Sequence, residues 1–373
     1  MANNNENKIL NVPNLRFPEF SGKWKKCTLG DITINFNLRN KEKIELPMYS
    51  VTNNRGFIPQ SEQFEDRDMV GEDIKAYKII HNKDFAYNPA RINVGSIAKY
   101  NGSKPCMISS LYVCFKAANG IDEDWLMHLL RSPKIQYYYN INGEGGVRIY
   151  LFYPNFARIR TSFPTIAEQR KIANLLSLLD ARITTQNKII EKLQSLIKGL
   201  AVTLTTKGKP NTTISQCLEC HSSTLQESEV SPNGLYKVFG ANGLVGYTDV
   251  PQMNGDSILV IKDGSGVGTA SYAQGKFSVI GTLNYLTVLG NNNLRYLYFA
   301  LSVFNFQSYK TGMAIPHIYF KDYGNAKIYC PSLTEQKRVA NMLDKMESKL
   351  FLEQELLASF NSQKRYLLGQ MFI

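Results

Sequence analysis

One motif occurs twice in this chain, at a constant spacing. The first copy begins Pro164-Thr-Ile-Ala-Glu-Gln-Arg-Lys-Ile-Ala, and the second begins Pro331-Ser-Leu-Thr-Glu-Gln-Lys-Arg-Val-Ala. The offset is 167 residues at the start of the motif and still 167 residues at Leu200 and Leu367. Such a constant offset indicates an internal repeat, and it requires a fold that uses one element in two equivalent places.

Each copy predicts a long amphipathic helix. Thr165 and Ser332 can serve as N-caps, and Glu168 and Glu335 follow at capping-box spacing. The apolar positions then step by four and three, which is the heptad seam of a coiled coil. The predicted seam residues are Ile172, Leu176, Leu179, Ile183, Gln186, Ile190, Leu193, Ile197 and Leu200 in the first copy, and Val339, Leu343, Met346, Leu350, Glu353, Leu357, Phe360 and Leu367 in the second.

Polar residues interrupt this seam. Gln186 and Glu353 occupy the same position of the repeat, and Lys364 is a further departure. If the two helices pack antiparallel about a pseudo-two-fold axis, Gln186 and Glu353 meet at its centre and fix the register. Alternatively, both side chains point to solvent at a splayed seam.

The charge favours an anionic partner. The chain has 43 Lys and Arg against 31 Asp and Glu, a net charge of +12. Residues 165–200 carry six basic and three acidic side chains and residues 331–373 carry six and five, so most of the excess lies outside the helices. Nucleic acid is the first candidate, and a generic basic surface is the alternative. The polar N-terminus and the lack of a long apolar run predict a cytoplasmic protein with no membrane contact.

The repeat divides the chain into five segments. We expect a flexible polar lead (1–22), a first globular domain (23–163), a first long helix (164–206), a second globular domain (207–330) and a second long helix (331–373). The two domains share a weak pattern, which predicts one α+β fold used twice. Its parts are hairpins at 48–58 and 236–246, strand–loop–strand units at 84–100 and 256–272, single apolar strands at 107–115 and 277–288, short helices at 124–130 and 294–302, and aromatic, basic runs at 146–153 and 312–321.

Motifs of catalysis and metal binding are weak. Cys217-Leu-Glu-Cys220-His221 matches a haem-attachment pattern or half a zinc site, but a second ligand pair is missing and chance spacing is the simpler interpretation. The glycine-rich loop 263–269 resembles a nucleotide loop, yet a strand rather than a helix is predicted after it, which favours a hairpin tip. We therefore predict no catalytic residue, no metal site and no cofactor in this chain.

Binding chemistry remains. Asn and Arg can read adenine and guanine edges, and Lys and Arg neutralise phosphates. For each residue taken singly, an ordinary solvated loop position is the alternative. The candidate DNA-binding residues are Asn53, Asn54, Arg55, Arg91, Asn93, Lys99 and Arg148 in the first domain, and Asn242, Lys262, Ser265, His317 and Lys321 in the second.

Two diverged domains, each followed by a helix that begins Pro-x-x-x-Glu-Gln-basic-basic, resemble the specificity subunit of type I restriction–modification systems. The resemblance covers nearly the whole chain. It implies two target recognition domains joined by two conserved helices in an antiparallel coiled coil. It further implies a non-catalytic subunit that reads a bipartite double-stranded DNA target with an unspecified spacer.

The resemblance also implies partners and their cofactors. Two methyltransferase subunits, which use S-adenosylmethionine, would dock along the helices, and restriction/translocase subunits, which use ATP and Mg²⁺, would join them. The helix length would then set the spacer between the half-sites. Two alternatives are a coiled-coil scaffold without DNA readout, and an orphan methyltransferase, which the missing cofactor motif disfavours.

Overall fold

The computed structural model describes residues 11–62, 74–145 and 149–373. Its contacts divide the chain into two compact units. The first unit is the chain up to Thr185 together with Leu357–Ile373, and the second is Gln186–Leu356. Each unit therefore holds one globular domain and a part of both long helices. Among the described residues, no helix is long and apolar enough to cross a membrane.

The first domain is built from short strands and helices. Its strands are β1 (Lys25–Thr28), β2 (Thr33–Phe36), β3 (Tyr49–Thr52), β4 (Gly56–Pro59), β5 (Lys78–Ile80), β6 (Phe85–Tyr87), β7 (Ile97–Lys99), β8 (Cys106–Ile108), β9 (Val113–Ala117) and β10 (Arg160–Phe163). Its helices are α1 (Leu29–Ile32), α2 (Glu123–Leu130), α3 (Pro133–Asn142) and α4 (Tyr153–Ala157). The main sheet has the order β2-β9-β6-β7, and β3-β4, β5-β8 and β1-β10 pair separately.

The second domain repeats this topology. After the first long helix, α5 (Ile166–Thr205), the strands are β11 (Thr212–Thr213), β12 (Leu218–Ser222), β13 (Tyr236–Gly240), β14 (Gly243–Thr248), β15 (Met253–Asn254), β16 (Ser257–Ile261), β17 (Ala270–Ala273), β18 (Lys276–Val279), β19 (Leu283–Val288) and β20 (Lys327–Ile328). The helices are α6 (Ile214–Cys217), α7 (Leu294–Ser302), α8 (Phe320–Tyr323) and the second long helix, α9 (Leu333–Gln370). The sheet order β12-β19-β16-β17 matches β2-β9-β6-β7, which confirms one fold used twice. The strands β14-β13-β18-β15 form one sheet, whereas their counterparts in the first domain form the separate pairs β3-β4 and β5-β8.

The prediction of single apolar strands at 107–115 and 277–288 was wrong. Each stretch contains two strands in different sheets, β8 and β9 in the first domain and β18 and β19 in the second. The turns between them are closed by the hydrogen bonds from Tyr112 N to Ser109 O (3.2 Å) and from Leu283 N to Ile280 O (3.1 Å). Ser109-Ser110 and Gly281-Thr282 lie in these turns, so each apolar stretch did contain residues typical of a turn.

The two long helices run antiparallel within each unit. In the first unit, the N-terminal part of α5 shares a core with the C-terminal end of α9; in the second, the C-terminal part of α5 shares a core with the start of α9. The predicted seam positions all lie at least partly out of solvent. The buried ones are Ile172, Leu176, Leu179, Gln186, Ile190, Val339 and Leu343.

Gln186 and Glu353 meet, as the antiparallel arrangement predicts. Gln186 Nε2 donates to Glu353 Oε2 at 2.5 Å and to the Glu353 backbone carbonyl at 2.9 Å, and Gln186 is only 5% exposed. Lys349 Nζ also lies 2.8 Å from the Glu353 carboxylate. A polar group buried at one seam position penalises shifted registers, because a shift would leave it without a partner.

Lys364 has a comparable function in the first unit. Its ammonium group forms an ion pair with Asp180 on α5, so the departure from an apolar seam is matched by an opposite charge on the facing helix. Near this pair, burial lowers the pKa of His128 to about 4. The neutral imidazole lies 3.4 Å from the Ser177 hydroxyl.

The glutamine of the repeated motif connects each domain to its long helix. Gln169 Oε1 accepts from the backbone N–H of Asp122, the N-cap of α2, at 2.8 Å. Gln336 Oε1 accepts from the N–H of Asn293, the N-cap of α7, also at 2.8 Å. Each amide nitrogen donates back to the proline carbonyl that opens the motif, at 3.0 and 2.9 Å. Both side chains are buried, so these bonds fix the angle between domain and helix.

The glutamates of the motif do not complete capping boxes. Ser332 Oγ accepts from the Glu335 N–H at 3.5 Å, but the Glu335 carboxylate binds Lys207 and Arg338 instead of the N-cap. Glu168 instead receives Arg16 at 2.7 Å and the Trp24 indole at 3.2 Å. Arg16, which precedes the first domain, and Lys207, which precedes the second, thus each pair with the glutamate of the repeated motif.

The described part of the N-terminal lead is docked rather than flexible. The Leu15 N–H donates to Gln370 O at 3.0 Å, and the Trp24 N–H donates to Asn11 O at 2.8 Å. Phe17 packs against the first core. The polar composition of the lead did not predict these contacts, since its partners lie at the distant ends of the long helices.

Replacement of Gln169 by Ala should destabilise the first unit by roughly 1–3 kcal/mol, because the partly buried Asp122 N–H loses its acceptor. Trp24 and Trp125, the two tryptophans of the chain, both lie in the first unit, so tryptophan fluorescence during urea unfolding reports on it. Asn174→Ala, on the exposed face of α5 within the first unit, is the matched control and should leave the transition unchanged. Equal midpoints for the two variants would contradict this connection.

Candidate nucleic-acid interface

The first domain brings four predicted binding residues to one cleft. Asn53, Asn54 and Arg55 form the turn of the β3–β4 hairpin, and Arg91 lies on the loop after β6. These residues line a cleft of about 490 Å³ together with Asn88, which our interpretation of the sequence had not assigned to binding. The cleft thus collects amide and guanidinium groups, the side chains that can read adenine and guanine edges.

Local hydrogen bonds hold these loops in shape. Thr52 Oγ1 accepts from Arg55 N at 3.2 Å and donates to Gly56 O at 3.1 Å, and Gly56 adopts φ 66°. On the opposite loop, Asn88 Oδ1 accepts from the Ala90 N–H at 3.0 Å. The loops are therefore preorganised by their own backbone and short side chains, while the longer side chains remain available.

The charged candidates of the first domain differ in whether an acidic side chain already neutralises them. Arg55 forms an exposed ion pair with Glu62 at 2.7 Å, and the ammonium of Lys99 is paired with Asp124. Arg91 is exposed and forms no side-chain hydrogen bond or ion pair with another described residue. Arg91 is therefore the candidate whose charge is open to a ligand.

Asn93 and Arg148 are the remaining candidates of the first domain. Asn93 is on a short 3₁₀ turn, where its Nδ2 donates to Asn140 Oδ1 at 3.2 Å, and it does not line the cleft. Arg148 lies outside the described residues, so its assignment stays a prediction.

In the second domain, two loops form the corresponding surface. The segment from Asp263 to Thr269 connects the antiparallel strands β16 and β17, so the predicted hairpin tip is confirmed and the nucleotide-loop alternative is wrong. His317 Nδ1 and Asp263 Oδ1 lie 2.7 Å apart, and the Gly264 N–H donates to Pro316 O at 3.0 Å. These contacts join the tip to the segment that precedes α8.

The joined loops gather four candidates of the second domain. Ser265 is exposed at the hairpin tip, and Lys262 precedes it on the same loop. His317 lies across the loop junction, and Lys321 places its ammonium 5.4 Å from the centre of the Tyr319 ring. Asn242 is exposed at the tip of a separate hairpin, β13–β14.

The Cys217–His221 stretch forms no metal centre. Cys217 is buried in the second core, whereas the His221 ring stacks on Tyr285 at 4.9 Å and contacts the Thr287 hydroxyl at 2.9 Å. Within the described ranges, no group of three His, Cys, Asp or Glu side chains is placed to hold a metal ion.

Comparison with known proteins identifies related sequences. Residues 217–361 match the family model for the type I restriction modification DNA specificity domain. The EcoprrI type I restriction enzyme specificity subunit of Escherichia coli is 25% identical over 114 residues, 31% of this chain and 28% of its own length. A putative type I restriction enzyme MjaX specificity subunit of Methanocaldococcus jannaschii is 28% identical over 207 residues, 50% of this chain and 49% of its own length. These alignments span half or less of either relative.

Solved structures share the fold over nearly the whole chain. A type I restriction-modification S subunit from M. genitalium superposes with a TM-score of 0.65 at 16% identity, covering 97% of this chain and 99% of that one. A chain from an assembled type I R-M system gives a TM-score of 0.57 at 15% identity, covering 94% and 97%. The resemblance to type I specificity subunits, predicted from the repeated helix, is confirmed.

Arg91→Ala should weaken binding of the chain to duplex DNA about tenfold, because a guanidinium contact to a base or phosphate contributes roughly 1–3 kcal/mol. Arg55→Ala should cost less, since Glu62 already shares that charge. The measurement is a salt titration of DNA affinity for the chain, alone and with a methyltransferase partner. Arg182→Ala, an exposed arginine on α5, serves as the control. Equal losses from all three variants would argue against the cleft.

Proposed function

We propose that this chain is the non-catalytic DNA-specificity subunit of a type I restriction–modification enzyme. Each domain reads one half of a bipartite double-stranded DNA target. One observation carries the proposal: both domains hold a polar loop against an aromatic segment by equivalent backbone bonds. The Leu151 N–H donates to Pro89 O and the Ile318 N–H donates to Lys262 O, both at 3.0 Å. Leu151 and Ile318 are 167 residues apart, the offset of the repeat.

Two readers of common design suit a target with two half-sites. The scaffold behind each loop pair is the same, whereas the loop residues differ, with Asn53, Asn54 and Arg91 in one domain and Lys262, Ser265 and His317 in the other. Since loop side chains determine which base edges are contacted, the two halves of the target should have different sequences.

The long helices supply equivalent docking positions for two identical partners. Ile189 and Leu356 occupy the same position of the repeat, and both are large apolar side chains exposed to solvent. We propose that methyltransferase subunits dock on this face of the helices, with restriction/translocase subunits joining the complex. S-adenosylmethionine would then be held by the methyltransferase, and ATP with Mg²⁺ by the restriction subunit, in the cytoplasm where the chromosome lies.

A protein-interaction scaffold without DNA readout is the second candidate, favoured by the length of the helix pair alone. It predicts no salt-dependent affinity for duplex DNA. The proposed subunit predicts a steep dependence, because each phosphate contact releases counterions. The exposed basic and amide side chains on paired loops favour the proposed subunit.

Co-expression of this chain with its methyltransferase partner, in a host lacking adenine methylation, should produce a new split motif methylated in both halves. Sequencing of modified bases gives both half-sites and the spacer. Exchange of residues 212–330 for the same segment of a related subunit should change one half only, because that segment is the second domain. A correctly assembled complex that leaves the genome unmethylated would favour the scaffold.

Insertion of seven residues into each long helix, beside Gln186 and beside Glu353, should lengthen the spacer by about three base pairs. Seven residues add roughly 10.5 Å of helix, and one base pair spans ~3.4 Å. A whole heptad preserves the seam, whereas a four-residue insertion rotates it and should disrupt assembly. The methylated motif again provides the measurement, and an unchanged spacer in an assembled complex would refute the proposal that the helix length sets the spacer.

A further inference from the structure

An exposed aromatic side chain occupies the same place in both domains. Phe152 and Tyr319 are separated by 167 residues, and each is 50% exposed. Each directly precedes a short helix, α4 or α8, in an extended backbone conformation (φ −79° and ψ 162°; φ −118° and ψ 135°). The two rings therefore belong to one feature of the repeat, although the domains around them have diverged.

Buried neighbours fix the backbone on both sides of these rings. Leu151 and Ile318 precede them and lie in the cores, and four residues after each ring come the fully buried Phe156 and Tyr323. Short antiparallel bridges, between Glu144 and Tyr150 in one domain and between Thr311 and His317 in the other, close the preceding loops. A ring that is anchored before and after keeps its exposed position at little further entropic cost on binding.

An aromatic residue is unfavourable at the position directly before a helix. The residue before a helix is usually Ser, Thr, Asp or Asn, whose side chain accepts a hydrogen bond from the first turn. Phe152 and Tyr319 occupy this N-cap position and make no such bond. Each helix thus loses a cap, and each ring exposes apolar surface to water. Residues that break local rules at equivalent positions indicate a function.

The surroundings of both rings match nucleic acid. The Tyr319 ring lies beside Lys321, and the neighbouring His317 joins it to the polar hairpin tip. The Phe152 ring stacks on Tyr150, with the ring centres 6.1 Å apart, and its segment is bonded to the loop that carries the exposed Arg91. A ring beside a cation, as at Tyr319, suits a base next to its phosphate. The buried centre of a protein interface, by contrast, is depleted of charged residues.

We propose that Phe152 and Tyr319 are base-stacking wedges, one for each half-site, which insert beside a base step of the bound duplex. This inference rests on the proposed function. It adds that the bound duplex is distorted when its sequence is read. Aromatic insertion unstacks neighbouring bases and kinks the duplex. An enzyme that modifies a base must extrude it from the stack, so a step already unstacked lowers the energy needed.

The test uses the full chain in complex with its methyltransferase subunit. The probe is a duplex carrying the methylated motif mapped in vivo, with 2-aminopurine placed in turn at each adenine of either half. The wild-type complex should change the fluorescence at one step in each half-site. Phe152→Ala should abolish the change in the first domain's half only, and Tyr319→Ala in the other half only.

Affinity measurements give a second readout. Each alanine variant should bind the motif about tenfold more weakly or worse, with an unchanged salt slope. Loss of a phosphate contact would instead reduce the slope by about one. Phe152→Trp and Tyr319→Phe retain a ring and should bind like wild type. Tyr137→Ala and Leu235→Ala remove exposed apolar side chains elsewhere in each domain and are the controls.

The outcomes separate this inference from the proposed function. Wild-type affinity and fluorescence in both alanine variants would overturn the wedge while leaving the specificity subunit intact. Weaker assembly with the methyltransferase, at an unchanged fluorescence signal, would assign the rings to a protein contact and also overturn it. Absence of motif-specific binding by the wild-type complex would overturn both proposals.

Discussion

The buried amide of the repeated glutamine is the contact on which the arrangement of each unit depends. Gln169 and Gln336 each bond to the N-cap of a domain helix and to the carbonyl of the proline before their own helix. A buried amide needs both donors and acceptors, and here the domain and the helix supply them together. The domain therefore cannot rotate on the helix without leaving a buried polar group unpaired.

Around this common contact, the two units satisfy the same requirements with different residues. The carboxylate of Glu168 is neutralised by Arg16, and that of Glu335 by Arg338 and Lys207, which together lower the Glu335 pKa to about 2. The openings of the two domains are also equivalent. Thr28 N–H donates to Asp31 at 2.7 Å, and Thr213 N–H donates to Gln216 at 3.0 Å. The two units thus keep the same contacts, although the residues that form them differ.

The backbone bonds that hold the loops do not involve the exposed side chains. This explains how two reading domains can share a fold and differ in specificity. The backbone bonds at Leu151 and Ile318 hold the loops from behind, and neither requires a particular side chain at the exposed positions. Substitutions at Asn53, Arg91 or Ser265 can therefore alter contacts to bases at little cost to folding. The exposed aromatic before α4 and α8 is the exception, since both domains retain it.

The sequence left open whether Gln186 and Glu353 meet or point to solvent. By itself it determined the repeat, the two long helices and the two-domain plan. These follow from periodicity and from a constant offset, which are local or arithmetic properties of the chain. It also gave the family resemblance through the Glu-Gln motif. Its failures were the turns after β8 and β18 and the roles of Glu168 and Glu335. Serine and glycine mark the two turns locally, whereas Arg16 and Lys207, which pair with the two glutamates, come from distant parts of the chain.

Only the tertiary structure decided which candidate residues lie together. It brought Asn53, Asn54, Arg55 and Arg91 to one cleft, paired Lys99 with Asp124, and left Asn93 and Asn242 apart. Spacing along the chain cannot predict this, because loops from distant strands meet only after the sheet has formed. The 167-residue offset also continues upstream of the long helices to Leu151 and Ile318, where apolar character is kept although identity is lost. The equivalent positions 151 and 318 are buried and 152 and 319 are exposed in both domains, because the packing of each core decides which side chains face it.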